Sequence, residues 1–150
     1  MSLQTDLIFI RALQSNDELI ARLPAGDVYN TAIPLPDEEM LNAPVPYIIV
    51  SYDGLQNTDD TKDGYEGPTD QVQISIEVAA PTRPELGELT SMVRQTVREF
   101  FESLPDDDDD YPLLPLDYTF SAQPIQYDAD KPCFWQVLAY QCDTNNDQEL

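Results

Sequence analysis

From residue 71 to residue 79 polar and apolar side chains alternate: Gln71, Gln73, Ser75 and Glu77 against Val72, Ile74, Ile76 and Val78. A period of two puts the two sets on opposite faces of an extended strand, one toward a core and one toward water. Beyond Pro81 the period changes. Leu86, Leu89, Val93, Val97, Phe100, Phe101 and Leu104 recur at steps of three and four, the stripe of an amphipathic helix. Thr82 and Glu85 stand at capping-box spacing, and Pro84 falls in the first turn, where its missing N–H costs nothing. Pro105 and the aspartate run at 106–110 stop the helix.

The same reading extends along the chain. Residues 3–13 place Leu3, Leu7, Ile10 and Leu13 on one helical face, with Ser2 as the cap. The pattern falters at "QSND", resumes as a short turn at 18–23, and ends at Pro24 and Gly26. "DVYN" reads as a short strand, and "IPLPDEEMLNAPVP" as a proline-studded connector. "YIIVSYD" reads as a buried strand, from its β-branched and aromatic content. A polar insert, 54–69, separates it from the alternating strand. Consecutive strands joined by a polar loop most simply form an antiparallel hairpin with a long tip. Two further strands, 117–127 and 133–141, flank the turn "DADKP" as a second hairpin. The order α-β-β-α-β-β predicts an α+β fold: an antiparallel-rich sheet of about four to five strands with two main helices packed on it. Residues 1–142 form one domain on this reading, and the polar "DTNNDQEL" at 143–150 a disordered tail.

Charge changes what such a fold can be for. Twenty-nine acidic residues against 7 basic ones give a formal net charge of −22. Such a chain repels duplex DNA and anionic membranes, because nucleic-acid binding needs Lys and Arg to displace counterions. No apolar run is long enough to span a bilayer, and the N-terminal stretch, with Asp6 and Arg11, does not read as a signal peptide. A cytosolic protein is the expectation.

Candidate chemistry is sparse. Cys133 and Cys142 flank one apolar run, and on a single strand they would lie roughly 30 Å apart, beyond disulfide reach. With no histidine and only two thiols, a zinc site is not expected. "DDTKDGYEGPTD" places Asp59, Asp63, Gly64 and Asp70 at positions 1, 5, 6 and 12 of a calcium-loop template. Position 3 is Thr61, Pro68 interrupts the loop and strands flank it, so it reads as a solvated hairpin tip. The run at 106–110 fails the same template, with Tyr111 at the glycine position. Phe100, Phe101, Tyr111, Phe134, Trp135 and Tyr140 read as core rather than as a ligand cage. The chain carries neither a phosphate-binding glycine loop nor a nucleophile elbow, so no enzyme and no cofactor is expected.

Several phrases together carry a resemblance. "DELIARLPAGDVYNTAIP", "PVPYIIVSYDG", "DQVQISIEVAAPTRPELGELTSMVRQTVREFFESL" and "PIQYDADKPCFWQVLAYQC", spread over residues 3–142, resemble the phage tail-terminator (tail-completion) family. The acidity and the run at 106–110 depart from that family's pattern. The resemblance implies a small, non-enzymatic α+β subunit that assembles in the host cytoplasm as a homo-oligomeric ring, usually a hexamer. The ring caps the tail tube, meets the head–tail connector proteins, and becomes part of the virion. Under that implication the neighbour-facing residues are the tip, Gly54, Gln56, Asn57, Asp59, Asp60, Lys62, Asp63, Tyr65 and Glu66, and the wet strand face, Gln71, Gln73 and Glu77. An acidic bore would let DNA pass without adhesion. The competing expectation is an acidic adaptor or DNA mimic that binds a basic protein as a monomer or dimer.

Overall fold

The structure, a computed structural model, describes residues 5–34, 44–57, 69–103 and 117–145. Along the chain come α1 (Thr5–Gln14), α2 (Asp17–Ala21), β1 (Tyr29–Asn30), β2 (Tyr47–Asn57), β3 (Thr69–Ala80), α3 (Arg83–Glu102), β4 (Asp117–Ala122), β5 (Gln126–Asp128) and β6 (Cys133–Asn145). The expected α+β fold is present, with six strands in one sheet, ordered β1-β2-β3-β6-β4, and β5 also on β6. Every pairing is antiparallel except β1 with β2.

The alternation in β3 does what its period demands. Val72, Ile74, Ile76 and Val78 are buried, whereas Gln73 is exposed and Gln71, Ser75 and Glu77 are half-buried. The described helices lie on the valine–isoleucine face: α3 on β3 and β6, and α1 on β2, β3 and α3. Along α3 the side of Leu86, Leu89, Val93 and Val97 is buried, Phe101 packs at its end, and Thr82 accepts a hydrogen bond from the Glu85 N–H at 3.3 Å. The cap therefore sits where the spacing put it. Leu104 and the run at 106–110 lie outside the described residues.

The buried face of α1 differs from the expected one. Thr5, Ile8, Phe9, Ala12 and Leu13 are buried, Ile10 is half-buried, and Leu7 is 50% exposed. Both sets satisfy helical spacing. The observed one buries Phe9, whose ring meets those of Phe101 at 5.3 Å and Tyr140 at 5.1 Å. A phenyl ring removes more apolar area from water than a leucine, so Phe9 decides the rotation. Leu3 and Ser2 lie outside the described residues.

Three strand boundaries also move. The expected strand 117–127 divides into β4 and β5, because Pro124 cannot donate to the ladder. Pairing continues as far as Gln123, whose N–H reaches the Val137 carbonyl at 2.9 Å. β2 runs on to Asn57, so Gly54, Leu55, Gln56 and Asn57 belong to the sheet rather than to the loop. Its ladder shifts by one residue between Tyr52 and Gly54, a bulge at Asp53. β6 runs on to Asn145, pairing Asn145 with Thr69, where composition suggested a tail. Cys133 and Cys142, at opposite ends of the expected strand, are both buried.

A candidate assembly surface on the helix-free sheet face

Register builds the second face of the sheet row by row. Tyr47, Ala79, Trp135 and Gln126 align across β2, β3, β6 and β5. Next come Ile49, Glu77 and Val137, then Ser51, Ser75, Ala139 and Ser121. A further row holds Gly54, Gln73, Gln141 and Thr119. Period-two geometry puts these residues opposite the helices. The face mixes half-buried apolar groups (Ile49, Trp135 and Val137) with amides and hydroxyls. Acidic positions enter this face at Glu77, at the exposed Asp53 of the β2 bulge, and in the following row, where register aligns Gln56, Gln71, Asp143 and Asp117. Half-buried aromatic and aliphatic groups among amides and hydroxyls are what a protein–protein contact can cover.

One end of this face is internally satisfied. The Tyr47 hydroxyl donates to the Glu77 carboxylate at 2.9 Å, and the Lys131 ammonium lies 4.9 Å from the centre of the Tyr47 ring. Asp128 holds the turn carrying Lys131, accepting from the N–H groups of Asp130 at 3.0 Å and Lys131 at 3.3 Å. Burial first, and then the Glu77 charge, push the Tyr47 hydroxyl well above the usual phenol range. Burial likewise raises the Cys133 thiol, with Lys131 opposing the shift. A protonated phenol and a buried protonated thiol suit packing better than nucleophilic or acid–base chemistry at neutral pH. Among the described residues no cluster of three or more Cys, Asp or Glu side chains is arranged to hold a metal ion.

Of the sequence-predicted site, the described residues other than Glu77 lie at the other end. Gly54, Gln56 and Asn57 sit at the end of β2, and Gln71, Gln73 and Glu77 on the helix-free face of β3. Asp59, Asp60, Lys62, Asp63, Tyr65 and Glu66 lie outside the described residues. Glu77 is half-buried and bonded to Tyr47, so it braces its own sheet rather than reaching outward. A 240 Å³ depression opens on this face beside Asp53, Gln73, Thr119, Ser121 and Gln141. Thr119, Ser121, Trp135 and Val137 belong to the same surface and were not marked by the sequence. Their signal was the alternation in 117–122 and 133–141, which reads as core until the helices are known to cover one face only. On the helical side, a groove of about 670 Å³ runs between the α1–α2 junction and the end of α3, with Asp17, Glu18 and Glu99 around Phe100.

No family model matches the chain, and no curated protein matches it in sequence. Among solved structures it is similar to a chain described as "Virion of native gene transfer agent (GTA) particle". The TM-score is 0.56 at 13% sequence identity, covering 91% of this chain and 90% of that chain. The likeness is one of fold. It runs nearly end to end in both chains, so it concerns the whole subunit rather than a shared fragment.

Proposed function

We propose that the chain is a structural subunit of a tailed-phage-like virion, and within that class a tail terminator. On this reading it forms a closed ring, hexameric by the resemblance, on the end of the tail tube. It contacts the tube protein below and head–tail connector proteins above, and it catalyses nothing. The observation that carries the reading is the near-complete fold correspondence with a chain of a gene-transfer-agent virion. The helix-free sheet face supports it, because its half-buried Ile49, Trp135 and Val137 offer apolar area that a neighbouring copy can cover. The acidity suits a bore through which DNA slides, since like charges at short range resist adhesion.

Removing the gene from cells that make the particles tests this. A terminator's loss should leave tails of uncontrolled length and heads without tails in electron micrographs of the lysate. Normally joined particles of normal tail length would rule the assignment out.

A further inference from the structure

The sheet ends in two different edges. Among the described residues β4 has β6 on one side and no strand on the other. At the opposite end, β1 covers β2 only at Ile49 and Val50, so the segment Gly54–Asn57 has β3 on one side and no described strand on the other. Both edges stand at the same height. Register aligns Gly54, Gln73, Gln141 and Thr119 in one row, and Leu55, Val72, Cys142 and Tyr118 in the next.

Direction matches as well. β2 is antiparallel to β3, β3 to β6, and β6 to β4, so β4 runs opposite to β2. A second copy placed alongside in the same orientation would therefore bring its Gly54–Asn57 edge antiparallel to β4, continuing the pattern of the sheet. Rotation about an axis running along the strands preserves that orientation, and contact between two unlike edges is heterologous, the kind that closes rings.

Side chains fit this neighbour. Leu55 is 36% exposed on the helix side, although it aligns with buried Val72. In the continued sheet it comes opposite Tyr118 of the next copy, one pleat from Phe120, whose ring lies under the Arg94 guanidinium at 4.3 Å. On the other side Gly54 comes opposite Thr119 and Gln56 opposite Asp117, and the exposed Asp53 comes beside Thr119 and Ser121, whose hydroxyls can donate to a carboxylate. Edge strands are normally guarded by lysine, proline or a bulge. β4, with the sequence "DYTFSA", carries one charge, Asp117 at its start, with neither proline nor bulge in its register with β6. The β2 bulge at Asp53 shifts the ladder by one residue just below Gly54 and so limits how far a partner strand can slide.

We infer that successive copies join edge to edge, β4 of one subunit pairing antiparallel with Gly54–Asn57 of the next, so that one sheet runs through the ring. This rests on the ring reading and names its contact. Two single substitutions to cysteine test it, Gln56→Cys and Asp117→Cys, which fall in one row of the continued sheet; the native Cys133 and Cys142 are buried. Each variant is checked for unchanged melting, and the two are oxidised separately and as a mixture. Asp53→Cys with Ser121→Cys serves as a second pair should either of the first fail to fold. The mixture should form disulfide-linked dimers at least ten times more than either variant alone, and a chain carrying both substitutions should give a ladder of oligomers. If light scattering shows a ring but the mixture links no better than the single variants, the edge contact is wrong and the ring reading survives. A protein that stays monomeric at high concentration and high salt overturns both.

Discussion

At the scale of single residues, Tyr140 is the informative case. Its ring packs against Phe9, Tyr118 and Phe120, and its hydroxyl is buried with no hydrogen-bond partner among the described residues. An unsatisfied buried hydroxyl costs about 1–3 kcal/mol, so removing the oxygen while keeping the ring should not hurt. Tyr140→Phe should melt at the parent temperature or a few degrees higher, by calorimetry. A clear loss of stability would mean that the oxygen has a partner. Tyr140 and Tyr47 also predict a pH dependence. Burial is the first cause in both, and both hydroxyls hold their protons above the ordinary phenol value of 10.0. Below about pH 10 folded and unfolded chains bind these protons equally, and the two tyrosines add no slope. Above it the unfolded chain loses protons that the folded chain keeps, so stability must fall as pH rises. Urea midpoints from pH 8 to 11 should show that decline, shallower in Tyr140→Phe. Which residues face inward was legible for β3, where alternation is strict. It was misread for α1, because leucine spacing at 3, 7, 10 and 13 competes with a set built on Phe9, and only the packing partners Phe101 and Tyr140 decide between them.

Among the elements, α3 was read almost completely, since its cap, its first-turn proline and its apolar stripe are all local signals. The ends of β2 and β6 were not. Gln56, Asn57, Thr144 and Asn145 sit in ladders held by backbone hydrogen bonds, which leave no hydrophobic mark in the sequence. The bulge was equally hidden, although Gly54 belongs to it. Gly54 has φ +153°, a conformation that side chains with a Cβ rarely adopt, and no atom lies within 4 Å of where that Cβ would be. Gly54→Ala should therefore cost about 1–3 kcal/mol purely through the backbone, a fall of several degrees in melting temperature. No change in melting would mean that Gly54 does not hold this conformation. If Gly54–Asn57 is also the edge that meets a neighbour, assembly should weaken more than stability does.

For the whole molecule, the order of elements was legible and the order of strands was not. Two hairpins were expected and both form, β2 with β3 and β4–β5 with β6. What no local pattern announced is that β6 also pairs with β3, joining them in one sheet, and that one helical layer leaves the other face bare among the described residues. That bareness makes the surface a candidate for assembly, and no local sequence pattern encodes it. The candidate site was half legible for the same reason. Gln71 and Gln73 were marked by alternation, whereas Thr119, Ser121, Trp135 and Val137 join them only through the register of distant strands. Net charge then governs how the subunits meet. Bringing together copies that each carry −22 is opposed by repulsion, which salt screens over about 10 Å at 0.1 M and about 3 Å at 1 M. The most direct test is the mass of the purified, concentrated protein by light scattering across that salt range, with negative-stain images of the same samples. A closed ring of several copies, more populated as salt rises, is the predicted result. A monomer or dimer at every salt concentration, above all one that binds basic proteins tightly at low salt, would contradict it.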